Sequence, residues 1–214
     1  MYELPKVNLD HLVNLTDGTG IFQHANGKGP DSEWGYCTDD VSRALVVASL
    51  YKEELERRGD QRIIDVYINF LEEAQKDDGT FRNFFGIDGK WSKKDIPGDS
   101  MGRSIWALGV ASSLLDGSQR YQSANMLNKA LLSANHLDSI RNKAYAILGL
   151  AKLSADSNIE ANLERLSRSI TDKFYEESGP WFEHELTYDN PRLPQAMLLA
   201  GSALSSPEYT SIGL

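Results

Sequence analysis

Two kinds of apolar segment alternate along this chain, and that alternation is what most constrains its fold. "DQRIIDVYINFLEEAQ" sets Ile63, Tyr67, Phe70 and Ala74 on one stripe, with Ile64 and Leu71 beside it. The spacing is that of an amphipathic helix. "SQRYQSANMLNKALLSANHL" repeats it with Ala124, Leu127, Leu131 and Ala134, and "NIEANLERLSRSITDKF" with Ile159, Leu163, Leu166, Ile170 and Phe174. A shorter stripe, Leu9 and Leu12 with Leu15 or Leu4, predicts a first helix. Between these lie "RALVVASLY" (43–51), "SIWALGVASSLL" (104–115), "AYAILGLAKL" (144–153) and "LPQAMLLAGSAL" (193–204). These are apolar or small almost all round, so each is expected to be buried on every side. Gly109, Gly149 and Gly201 lower helix propensity there but allow neighbouring helices to approach closely.

The order predicts an all-α fold, an incomplete α/α toroid of about four helical hairpins with inner and outer helices alternating. The whole chain, 1–214, reads as a single domain. No strand-like alternation of useful length competes, although "TGIFQHA" and "GTFRNFFG" offer short hairpins within loops.

The inner segments share a start. Asp40 precedes Arg43 by three, as Ser100 precedes Arg103, Asp138 precedes Arg141 and Asp189 precedes Arg192. Asp and Ser oxygens accept from orphan helix N–H groups, so capping is the first reading of all four. Outer-to-inner connections are long at 17–38, 77–99 and 176–188, whereas the third, near 136–138, is short. In alternating antiparallel hairpins all of these connections lie at one end, above the inner-helix N-termini. Loops of that length are usually functional.

The loops hold most of the unusual side chains. His24, Trp34, Tyr36, Phe81, Trp181 and Tyr188 are candidate sugar-binding groups, because sugar rings stack on aromatic faces and their hydroxyls take carboxylates. Phe22, Phe81 and Phe182, one from each long loop, are expected to surround a common site. Asp39, Asp40 and Glu185 are the candidate catalytic carboxyls, since glycoside hydrolysis needs an acid and a base or nucleophile. Asp39 and Asp40 stand at a helix start, where the dipole would lower the pKa and suit a base. Glu185 or Glu183, packed near Trp181 and Phe182, would have its pKa raised by desolvation and suits the acid. Asp99, Arg103, Glu183, Asp189 and Arg192 complete the candidate substrate-binding set, with Asp95 a further loop carboxylate.

Other chemistries find little in the chain. A net charge of -9 argues against a nucleic-acid partner. The one cysteine, Cys37, permits no internal disulfide and has no paired histidine. His11, His24, His136 and His184 lack zinc-like spacing, no Gly-rich phosphate loop occurs, and "DGTG" and "DDGT" are only fragments of a calcium loop. Neither a metal nor a cofactor is expected. No window approaches 18 uncharged apolar residues and "MYELPKVNLDHL" does not read as a signal peptide, so a cytoplasmic protein without a membrane partner is expected.

"LTDGTGIFQHA", "GYCTDD", "DIPGDSMGRSIWALG" and "WFEHELTYDNPRLPQAML" together resemble an α/α-toroid region found in a group of prokaryotic carbohydrate proteins, sometimes following a glycosyltransferase domain. That toroid is similar to the six-hairpin glycosidase superfamily, and the resemblance runs from about Leu9 to Leu204. It implies carbohydrate metabolism, a carbohydrate partner and a helical toroid. A six-hairpin ring needs twelve helices and the pattern here supplies eight, ending after the fourth inner segment. An open ring would expose apolar edges and favour self-association into a homo-oligomer. The transferase catalytic domain is absent, so transferase activity does not carry over. "QKDDGTF" (75–81) also resembles one repeat of terpenoid cyclases, whose rings alternate helices in the same way. Three expectations follow: a glycoside-hydrolase-like protein that binds or cleaves an oligosaccharide; a non-catalytic glycan-binding or partner domain associated with a glycosyltransferase; and, least favoured, a terpenoid-cyclase-like toroid.

Overall fold

The computed structural model describes residues 6–27, 29–93, 99–153, 156–177 and 181–214. Leu4 and Asp95 lie outside them. The four apolar segments form α2 (Thr38–Leu50), α5 (Ser100–Leu114), α7 (Ile140–Leu150) and α9 (Arg192–Ala203). The amphipathic segments form α4 (Arg62–Ala74), α6 (Gly117–Leu131) and α8 (Ser157–Glu176), with a one-turn α1 (Asp10–Asn14) before them. The fold is mostly helical, as the periodicity requires.

The apolar helices pack in chain order, α2 on α5, α5 on α7 and α7 on α9. They run parallel. Near their N-termini Ser42 and Ser104 share a 3.2 Å hydrogen bond, and the Gly102 N–H donates to Asn142 Oδ1 at 3.0 Å. Near their C-termini Ser113 Oγ donates to the Lys152 carbonyl at 3.2 Å. The amphipathic helices cover this row from behind, α4 against α2, α6 against α5 and α4, and α8 against α7 and α9. Their stripes supply the core: Tyr67, Leu71, Leu127, Leu166 and Ile170 are buried.

The small residues act where expected. A Cβ on Gly109 would lie 2.6 Å from the backbone of Gly149, and one on Gly149 would lie 2.6 Å from the Ile105 carbonyl. The helices α5 and α7 therefore touch backbone to backbone.

Three features depart from the sequence reading. The first long loop is largely sheet: β1 (Phe22–Asn26) and β3 (Phe84–Phe85) fall in the two stretches that offered short hairpins, but both pair antiparallel with a nine-residue β2 (Gly29–Cys37) that was not anticipated. Its apolar side chains follow no clean alternation because most of the hairpin is solvated on both faces. Two short helices were not anticipated, α3 (Lys52–Arg58) and α10 (Pro207–Gly213). The latter packs on α9 and α8 and buries Tyr209 and Ile212. Finally, the recurring Asp and Ser residues do not cap. The α2, α5 and α9 helices have no side-chain cap, and α7 is capped by Ser139, not Asp138. Asp40 instead pairs with Arg43, and Asp189 with Arg192 at 3.3 Å. At Asp40 the three-residue spacing spans the first turn of α2, whereas Asp189 reaches Arg192 from the loop before α9.

The repeated "DGT" is a turn. Asp17 Oδ1 accepts from the Thr19 N–H at 2.7 Å, and Asp78 Oδ1 from the Thr80 N–H at 2.9 Å. Gly79 has φ +86° and sits against the Lys129 carbonyl, while Gln75 Nε2 donates to the Met126 carbonyl at 2.9 Å. The "QKDDGTF" stretch thus fastens α4 to α6, a structural role that accounts for its residues.

Candidate functional site

Parallel packing brings four helix N-termini and the residues before them to one end. Arg103 occupies the middle of that end, its side chain 8% exposed. Its Nε lies 2.6 Å from Asp39 Oδ1 of α2, a charge contact without hydrogen-bond geometry. Its Nη2 donates to the Tyr145 hydroxyl of α7 at 2.7 Å and lies 3.5 Å from Asp189 Oδ2, just before α9. Asp99 is 3.8 Å away. Tyr145 in turn donates to Asp189 Oδ2 at 2.7 Å, and Tyr188 donates to Asp99 Oδ2 at 2.6 Å.

A second arginine holds the last long loop. Arg141 donates from Nε to the Tyr188 carbonyl at 2.6 Å, from Nη1 to Glu183 Oε1 at 2.6 Å and from Nη2 to Asn190 Oδ1 at 2.8 Å. Its guanidinium carbon also lies 4.8 Å from the centre of the Tyr188 ring. One Arg thus fixes the loop backbone, an acid and an aromatic. Asp189 adopts φ +49°, a left-handed conformation that Asp tolerates better than most residues.

The electrostatics correct the expectation for Asp39 and Asp40. Both carboxyls are held above the usual 3.8. Burial is the largest cause in each case; Arg103 and Arg43 oppose it at Asp39, and Arg43 opposes it at Asp40. Desolvation outweighs both the guanidiniums and any benefit of the helix start. The same balance pushes the Tyr188 hydroxyl up to about 12, through burial and its bond to Asp99. The Cys37 thiol also rises to about 12, through burial, and its Sγ donates to Asn83 Oδ1 at 3.2 Å. A thiol nucleophile needs the opposite shift.

Of the sequence-derived candidates, Asp39, Asp40, Asp99, Arg103, Glu183, Tyr188, Asp189 and Arg192 join this end of the helices. Glu185 does not join the network; it is exposed, while its neighbour Glu183 turns to Arg141. The aromatic set divides. Phe22 stacks on Tyr36 at 4.8 Å, and Tyr36, Phe85 and Trp91 gather around Phe70 of α4. Phe182 packs on Phe174 of α8 at 5.2 Å, with Trp181 against it, and Phe81 is buried beside Gln75. Phe22, Phe81 and Phe182 therefore surround no common site; each pins its own loop to the body. His24 and Trp34 contact each other edge-on at 5.1 Å on the hairpin, with Trp34 60% exposed.

A groove of about 760 Å³ runs along the row of apolar helices, lined by none of the amphipathic ones. On three of the four apolar helices its lining follows a rule, while α7 adds Leu148, with Lys152 just beyond its end. Arg43, Val46, Val47 and Leu50 come from α2, Arg103, Trp106 and Val110 from α5, and Arg192, Gln195 and Leu199 from α9. Each set begins on the recurring Arg and continues at helical spacing. Tyr188 and Asp189 close the arginine end. Trp106 lies parallel to Tyr145 at 6.0 Å, and Arg192 sits 4.9 Å from the Trp106 ring centre.

Trp106, Tyr145 and Arg141 were missed by sequence reasoning. Trp106 falls in a segment apolar all round, which hides a groove-facing residue among buried ones. Stepping three residues down the helix from each recurring Arg is the signal that finds it. Among the described residues no group of three or more His, Cys, Asp or Glu side chains is arranged to hold a metal ion. None of the described helices is long and apolar enough to cross a membrane. No family model matches the chain, and no curated protein matches it.

Proposed function

We propose that the chain is a carbohydrate-binding domain of glycoside-hydrolase-like architecture, an arc of an α/α toroid whose open inner face is the saccharide site. The observation that carries this reading is the groove itself. One wall end combines an indole, a phenol, three guanidiniums and a carboxylate, and the remainder is aliphatic apart from Gln195 and Lys152. A sugar presents both apolar C–H faces and hydroxyls, and a largely apolar cleft with a few fixed polar groups suits it. Arg103, Tyr145 and Arg141 hold Asp189 and Tyr188 in place beforehand, which lowers the ordering cost of binding. The charged end counts against a terpenoid-type apolar cavity.

Binding is tested by isothermal titration with a panel of neutral and acidic oligosaccharides. Saturable binding is expected, weakened by Asp189→Asn and unchanged by Glu185→Gln. An absence of binding across the panel, with folded protein confirmed by circular dichroism, overturns the proposal.

Cleavage is the second reading, and one observation favours it. Asp39, its carboxyl raised by burial, meets the same guanidinium as Asp189, so two carboxyls in different environments flank one point. In that case Asp189, which lines the groove, is the base or nucleophile, and Asp39, outside the lining, positions it through Arg103. Release of reducing ends that vanishes in Asp189→Asn at saturating oligosaccharide supports cleavage; binding without release leaves a glycan-binding or partner domain.

A further inference from the structure

The groove lining carries four cationic side chains and one carboxylate, although the chain has a net charge of -9. Arg43, Arg103 and Arg192 form its first rung and Lys152 stands at the opposite end, against Asp189 as the one carboxylate among the lining residues. Asp39, Asp40 and Asp99, which touch these guanidiniums, lie outside the lining. The two outer arginines are not used up. Arg43 gives one Nη2 to Asp40, with its side chain 51% exposed. Arg192 gives Nη1 to Gln195 at 2.7 Å and sets Nε 3.3 Å from Asp189. The remaining N–H groups of both, and the Lys152 ammonium, have no partner among the described residues. A guanidinium presents five donors in a planar fork that matches a carboxylate or phosphate. Here Asp40 and Asp189 each engage one part of such a fork, and donors of both arginines are left over.

We infer that the saccharide taken by this groove carries an anionic group, a carboxylate or a phosphate, seated at the Arg43 and Arg192 end. The inference rests on the reading of the groove as a saccharide site and adds the substrate class. A neutral sugar would leave the free N–H groups to water and gain little from them. An acidic one gains charge-assisted bonds from them. The groove runs seven residues along α2, α5 and α9, about 10 Å, so Lys152 would meet a second acidic unit of a longer chain.

The test compares trigalacturonate, its methyl ester and glucose 1-phosphate by isothermal titration at low and high salt. The expected result is binding of an acidic probe about tenfold or more tighter than the ester, weakening as salt rises. Trigalacturonate alone marks the carboxylate as the recognised anion, and glucose 1-phosphate alone marks the phosphate; either supports the inference. Arg43→Gln and Arg192→Gln, both at partly exposed side chains, should remove the preference while the protein stays folded. Equal binding of acid and ester, unchanged in those variants, overturns the anionic specificity and leaves the saccharide site standing. Binding of neutral oligosaccharides with none of the three probes bound overturns the anionic specificity in the same way. If no saccharide binds, both readings fall together.

Discussion

Arg103 on α5 stands 2.6 Å from Asp39 on α2, and through the same guanidinium it reaches Tyr145 on α7 and Asp189 before α9. One side chain therefore joins all four inner helices at the end where the groove opens. Its removal strands Asp39 in a partly desolvated position and loosens Asp189. Arg103→Met is expected to destabilise the fold by about 3–5 kcal/mol in urea unfolding. Arg103→Lys should recover little, because a point charge cannot serve partners spread around a planar fork. A loss under about 1 kcal/mol for the Met variant would remove Arg103 from this role.

The raised carboxyls make stability depend on pH. Asp39 titrates above 3.8 in the folded chain because burial disfavours its charge. The folded state then binds more protons than the unfolded state, so this group's contribution falls as pH rises from about 3.8 through its folded pKa. Asp39→Asn deletes that slope. The stability of the variant relative to the parent should therefore increase with pH across that window and level off above it. A difference that is flat with pH, or that runs the other way, contradicts a burial-dominated Asp39.

Gly109 and Gly149 set the distance between α5 and α7. An added methyl at Gly109 meets backbone 2.6 Å away, which no side-chain rotation relieves. Gly109→Ala is expected to cost about 1–3 kcal/mol despite alanine's better helix propensity. It should also disturb Trp106, whose Cα lies against Gly149. Thermal unfolding with near-ultraviolet circular dichroism measures both effects; an unchanged or higher midpoint would contradict the close contact.

The helices were legible because burial writes itself into periodicity. Tyr67 and Leu166 announce their faces by spacing alone, and the apolar runs around Ile105 and Ile147 announce burial on all sides. What spacing cannot show is which side of an all-apolar helix faces an open groove, so Trp106 went unseen. The carboxylates show the converse. An Asp three residues before an Arg fits a cap and an ion pair equally well on paper, and only the backbone at Asp40 and Asp189 decides for the pair. Glu183 and Glu185 are two apart on an irregular loop, where no period says which turns inward. The loop aromatics were legible as a group, but their partners, Phe70 on α4 and Phe174 on α8, depend on packing that sequence order does not give.

The most direct test of the groove follows from its tryptophan. The chain has four, and of these Trp106 lines the groove while Trp34 sits on β2 and Trp91 and Trp181 lie in loops. A variant with Trp34, Trp91 and Trp181 replaced by Phe reports on Trp106 alone. Titration with a bound oligosaccharide should then change its fluorescence saturably, with the midpoint matching calorimetry. If the fluorescence of Trp106 stays constant while a variant retaining only Trp34 responds, the saccharide binds at the β1–β2 hairpin, and the groove is not the site.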